Sequence, residues 1–208
     1  MSLVINWGYT MTNVEQLPEM LTVEEFNTFT AGRYSGDVRI PGNISAACAA
    51  IRNYVGWHLY PSAACEMNIL MNDRRVSVVG PDLLIQLPAK FVTAVTGVTI
   101  GNTACENFSF ETNGILRVYN VTFAGLQRYT PIDIIYTAGL SSGMLDSLKE
   151  LIAHRVTHAM ASSNGITSEA VGGVSVTYNA GWVNSARATA LPDDNKEVLA
   201  PYRLQGVF

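Results

Sequence analysis

Gly139-Leu140-Ser141-Ser142-Gly143 fits the G-x-S-x-G outline of a hydrolase nucleophile elbow, in which a serine is presented on a sharp turn between a strand and a helix. The chemistry would be acyl transfer, with a histidine as general base and a carboxylate to orient it. Asp146, His154 and His158 follow Ser141 on one helix-like run. At about 1.5 Å of rise per residue, that helix carries both imidazoles away from the serine. An elbow also sits on a parallel sheet built from βα units, whereas strand-like runs without intervening helices precede Ser141. A simpler reading explains the same residues without catalysis: Gly139 lets the strand turn, and Ser141 or Ser142 caps the next helix.

His154 and His158 stand at i and i+4, a spacing that suits a shared metal ion. The residue after the first histidine is Arg155, where a zincin carries glutamate, and no third ligand is evident. At about 100° per residue both histidines fall opposite the apolar stripe of their helix, so solvent or a neighbouring subunit is their expected environment. The runs "AGLSSG" and "AVGGVSV" lack the Lys-Ser/Thr pair and the βαβ setting that phosphate cradling needs. Cys48, Cys65 and Cys105 are odd in number and have no C-x-x-C spacing, which argues against a disulfide framework and a structural zinc site and fits a reducing compartment. No catalytic residue, metal or cofactor is therefore expected.

Charge narrows the partners. Only 14% of the 208 residues are charged, and 13 Lys and Arg face 17 Asp and Glu. A surface with so few charges is expected to lie largely against partners. Arg74-Arg75 is the only adjacent basic pair, so the clustered cations that grip phosphates are missing and tight DNA binding is not expected. Without such a groove, Trp7, Trp57 and Trp182 read as packing residues rather than base-stacking platforms. The start "MSLVINWGYTM" resembles no export signal, and no run approaches the roughly 18 apolar residues that cross a bilayer. The sequons at Asn43, Asn107 and Asn120 read as chance in a chain with no other sign of secretion.

Three parts position these residues. In the first, residues 1–62, Thr22 and Glu25 form a capping box that opens a short helix to about Thr30, and Ile44, Cys48, Ile51 and Val55 recur at helical spacing over about 43–57. In the second, residues 63–139, strands are expected at 66–71, 76–79, 83–87, 92–100, 108–111, 115–121 and 132–137, with a hairpin turn at Thr112-Asn113-Gly114. With no helix between them the sheet should be mostly antiparallel. The third, residues 140–208, opens with a long helix over about 143–162 carrying Leu145, Leu148, Ile152, Val156 and Ala159 on one stripe. A polar stretch with one strand candidate at 174–178 follows, then a helical turn or two at 196–202. The fold class is thus α+β: a small α-helical bundle interrupted by a mostly antiparallel β-rich insertion, with an extended C-terminal segment.

The order of "LTVEEFNTF", "NISAACAAIRNYVGWHL", a strand-rich insertion ending "PIDIIYTAGL", a long helix and a closing "VLAPYRL" resembles the larger, β-inserted members of the tailed-phage head-tail connector (adaptor) family. The resemblance runs from about Leu21 to Leu204. It implies a virion protein without enzymatic activity or cofactor. Copies of itself, in a ring that is dodecameric in that family, would sit beneath the portal protein and meet the next neck or tail protein. Double-stranded DNA would pass through the ring without specific binding, and no membrane is involved. By match of position Leu199, Pro201, Tyr202, Arg203 and Leu204 would dock on the portal or a neighbouring subunit, with ordinary packing on their own domain as the alternative. Trp182 joins them as an interface candidate at the middle of a 172–194 segment that is long for the family and is expected to become ordered only in the assembled neck. Other readings are a different virion ring protein such as a tail terminator, and a carbohydrate- or protein-binding β module using Tyr119, Phe123 and Tyr129.

Overall fold

The computed structural model describes residues 2–5, 7–162, 168–171, 174–177 and 193–204. Among the described residues the architecture is α+β: a six-stranded and a four-stranded sheet, a separate two-stranded hairpin, and four α-helices. Every strand pair among the described residues is antiparallel, as expected of strands joined without crossover helices. The chain forms two units, one of Met1–Pro18, Val55–Ser142 and Tyr202–Phe208 and the other of Glu19–Tyr54 and Gly143–Pro201.

The first unit is built around β10 (Pro131–Ala138), which pairs along its length with β3 (Ala63–Leu70) on one side and β6 (Val92–Ile100) on the other. Alternation decides which face is buried. Ile132, Ile134, Tyr136 and Ala138 point inward, and Asp133 and Ile135 point out. The register sets Ile134 opposite Met67 and Tyr136 opposite Cys65, so the inner faces of β3 and β10 coincide. On the outer face the Asn68 amide donates to the Asp133 carboxylate. The sheet continues through β6 to the short β7 (Thr103–Ala104).

The N-terminal residues were expected to be an arm of the helical part. Instead β1 (Ser2–Ile5) and β2 (Tyr9–Thr12) form a hairpin whose second strand pairs with β3 through Thr10 and Met11. Tyr9 and Met11 are both buried, so the hairpin belongs with the sheet that covers its apolar side. The second sheet of this unit has the order β4 (Val76–Val79), β5 (Asp82–Gln86), β9 (Ile115–Val118) and β8 (Phe108–Phe110). Its β8–β9 turn uses the expected Thr112-Asn113-Gly114. Gly114 has φ +92, and a Cβ there would run into the Ala89 carbonyl oxygen. All seven strands expected between residues 63 and 139 are present, with ends displaced by a few residues.

The second unit holds α1 (Val23–Phe29), α2 (Ile40–Val55, whose last residue belongs to the first unit), α3 (Asp146–Ser162), the hairpin of β11 (Ser168–Val171) and β12 (Val174–Thr177), and α4 (Asp193–Leu199). The capping box at α1 is present. The Glu25 N–H donates to Thr22 Oγ1 at 3.1 Å, and the Thr22 N–H to Glu25 Oε2 at 2.8 Å. α2 starts at Ile40, three residues before the expected Asn43, because Pro41 is tolerated in a first turn where backbone N–H groups have no helical partner. On α3, Leu145 just ahead of it, Leu148, Ile152 and Val156 are buried as the stripe requires, and Met160 rather than Ala159 completes it. β11 was not foreseen. It pairs with the strand expected at 174–178.

One ion pair joins the capping box to α3. Lys149 Nζ lies 2.6 Å from Glu25 Oε1, and this bond, followed by that from Thr22, holds the Glu25 carboxyl below its usual range. A depressed carboxylate contributes stability above its unfolded pKa, about 4.3, and loses that contribution as pH falls through the lower folded value. Gln still accepts from the Thr22 N–H, so Glu25→Gln isolates the charge. At pH 7 it is expected to lower stability by about 0.3–1 kcal/mol, the range for a partly exposed pair, and the difference should shrink as pH falls below the unfolded value of about 4.3 when both proteins are compared by urea denaturation.

Candidate interface at the C-terminal segment

The closing residues follow α4 through a 3-10 turn at Ala200–Tyr202. The expected helical turns at 196–202 are therefore present and begin at Asp193. Leu199 and Leu204 are buried, Tyr202 is half-buried, and Pro201 and Arg203 are exposed. Within the first unit, the Leu204 N–H donates to the Val55 carbonyl at 3.1 Å, and Trp57 Nε1 donates to the Tyr202 carbonyl at 2.7 Å. The Tyr202 ring lies 5.8 Å from Phe91, which stacks on Trp57 at 6.1 Å. Phe91 sits at φ +53, a conformation unfavourable for a bulky residue, where contacts on both sides hold it. Tyr202 and Leu204 thus close a layer of their own chain, and Pro201 and Arg203 are the residues of this segment left facing outward. Trp182 and most of 172–194 lie outside the described residues.

Next to Trp57, His58 is fully buried and was not singled out in the sequence. Its Nε2 lies 3.1 Å from the Pro61 carbonyl and 3.2 Å from the Ala138 carbonyl, and both oxygens only accept. Nε2 therefore carries the proton. Tyr9 Oη then donates to Nδ1 at 2.6 Å and accepts from the His58 backbone N–H at 3.2 Å. The network joins β2, the approach to β3 and the end of β10. Its only sequence signal is one histidine inside the apolar run "GWHLYP".

Ser141 is exposed on the connection after β10, and His154 and His158 are exposed on α3, as their position opposite the stripe predicts. His154 Nε2 lies 3.9 Å from Glu150 on the preceding turn. Gly139 does let the strand turn. It has φ +122, and a Cβ would run into the backbone of Pro61 and Ser62. Two open hollows of about 480 and 440 Å³ lie on the first unit, and neither is lined by Ser141, His154 or His158. Cys48, Cys65 and Cys105 are free, and burial pushes the first two thiols up to about 12. Among the described residues no three His, Cys, Asp or Glu side chains gather as metal ligands would, and no helix is long and apolar enough to cross a membrane.

The three aromatics expected of a binding β module differ in exposure and local contacts. Tyr129 is exposed beside Arg128, Phe123 is half-buried, and Tyr119 bonds Ser109 Oγ at 2.8 Å under the Arg117 guanidinium.

No protein-family model and no curated protein sequence matches the chain. Among solved structures, a chain in the "Neck of empty GTA particle computed with C6 symmetry", GTA being a phage-like gene transfer agent, has the same fold with a TM-score of 0.50. Identity is 19%, over 95% of this chain and 97% of that one.

If the segment from Tyr202 to Leu204 is part of the chain's own core, Leu204→Ala should destabilise it by about 2–4 kcal/mol through lost burial. Trp57→Phe, which leaves the Tyr202 carbonyl without its donor, should cost about 1–2 kcal/mol. Urea denaturation of the unassembled chain measures both.

Proposed function

We propose that this chain is a structural protein of the head-tail neck of a phage-like particle. Its copies form a ring beneath the portal, extend the DNA channel and offer a platform to the next neck or tail protein. The observation that carries this reading is the likeness of fold, over nearly the whole of both chains, to a neck chain of a GTA particle. A partial match would speak only for a shared module. This one covers 95% of this chain and 97% of that one.

Composition supports the same role. A protein covered by copies of itself and by neighbours on two sides needs few solvated charges, and only 14% of these residues are charged. A conduit for DNA must not hold its cargo, and a net charge of −4 with scattered Lys and Arg gives no cationic track. The dodecamer proposed here obeys six-fold symmetry, the symmetry used for the GTA neck. The role needs no covalent chemistry, no cofactor and no membrane, and it places the protein in the virion after assembly in the host cytoplasm.

Electron microscopy and native mass spectrometry of the purified chain, alone and with portal protein, test the proposal. A ring, or a single chain that becomes a ring on the portal, is expected. A chain that stays solitary and ignores the portal would contradict it, and a ring that caps the tail tube and does not bind the portal would make it a tail terminator instead. Ser141→Ala is expected to assemble as the wild type does.

A further inference from the structure

The four-stranded sheet is covered in its middle and bare at both ends. Its rows run Val76–Ile85–Leu116–Phe110 and Val78–Leu83–Val118–Phe108 across β4, β5, β9 and β8. In both rows the inner residues Leu83, Ile85, Leu116 and Val118 are no more than 1% exposed, yet Val78 on β4 is 55% exposed and Phe110 on β8 is 36% exposed. Val79, also on β4, is 46% exposed. Among the described residues, 77–79 and 108–110 make no backbone hydrogen bond outside their own sheet. Exposed apolar edges with open backbone groups are pairing surfaces, which proteins that stay single usually blunt with charge, proline or a covering segment.

We infer that β8 of one copy pairs with β4 of the next, so that the four-stranded sheet continues from subunit to subunit. This inference rests on the ring reading above. Three observations select a second copy as the occupant. The first is polarity: across the order β4-β5-β9-β8 the strands alternate in direction, so a neighbouring copy in the same orientation brings its β4 antiparallel to β8. The second is the rows themselves. Carried on unbroken, they set Phe110 beside the neighbour's Val76 and Phe108 beside its Val78, covering the apolar side chains left open on each edge.

The third is charge. Exposed Arg74 precedes β4 and exposed Glu111 follows β8, and the same register brings these two ends together. Pairing of β8 with itself about a two-fold axis would instead bring Glu106 and Glu111 of the two copies close, a like-charge contact. Only the head-to-tail arrangement uses both edges, and a head-to-tail contact is the kind that closes into a ring. A four-residue edge buries less than the roughly 800 Å² per partner of a stable interface, so it sets register within a larger contact.

Cross-linking tests the pairing on the full chain. With half-exposed Cys105 replaced by Ser, Val78→Cys and Phe108→Cys are made singly and together. Cys48 and Cys65 are buried. Under oxidation the double variant should give a ladder of covalent oligomers on a denaturing gel, and each single variant should stay monomeric. Val78→Lys, at an exposed position, should keep the melting temperature of the isolated chain and raise the concentration needed for assembly at least about tenfold. A double variant without cross-links, single variants that dimerise, or a Val78→Lys protein that assembles as the wild type does would each overturn the inference. The two readings fail separately: rings without the ladder sink the edge pairing and leave the ring, whereas a ladder from a protein that forms no ring on the portal does the reverse.

Discussion

The first unit depends on two consecutive residues that face different partners. From the end of α2, His58 reaches the N-terminal hairpin through Tyr9, the approach to β3 through Pro61 and the end of the central strand through Ala138. Trp57 reaches the last described residues through the Tyr202 carbonyl and stacks on Phe91. Every hydrogen-bonding group of the imidazole has a partner, so its burial carries no unpaired polar atom. Each bond is worth about 0.5–1.5 kcal/mol net, and leaving its partner bare would cost about 1–3 kcal/mol. Segments distant in sequence thereby share a single anchor, and β10 acquires a fixed end from which Gly139 can turn the chain toward α3.

That constraint bears on what the protein presents to others. With its C-terminal residues Tyr202 and Leu204 tied into its own core, the chain has less of that segment to lend to a portal than the family resemblance implies. Pro201 and Arg203 remain outward. Part of the open apolar surface lies on the outer strands of the four-stranded sheet, where Val78, Val79 and Phe110 stand about half in solvent. In the ring proposed above, that arrangement would offer edges to copies of the chain and outward-facing residues to different neighbours.

Local rules made much of this legible in the sequence. Thr22 and Glu25 announce α1 because a capping box is contained within four residues. β6 stands out because β-branched residues fill seven of its nine positions between turn formers. The expectation that Ser141 is no nucleophile rested on the absence of βα units around it and on a helix that carries His154 and His158 away from it. What escaped was non-local. β1 and β2 are four residues each, too short for alternation to register, and only pairing with β3 explains them. His58 belongs to no motif, since its partners come from residues 9, 61 and 138. The bond between Trp57 and Tyr202 spans 145 residues, beyond the reach of any periodicity. For the segment 199–204 the sequence left docking and self-packing both open, because a Tyr-Leu pair buries the same apolar area in either setting.

The central claim is that this chain folds around β10 by itself and completes its second sheet only with copies of itself. Amide hydrogen exchange, compared between assembled and dissociated protein, measures both halves at once. The account requires slow exchange across 131–138 in both states and protection at 76–79 and 108–110 that appears only on assembly. Edge amides that exchange at the same rate in ring and single chain, or a β10 that is protected only in the ring, would contradict it.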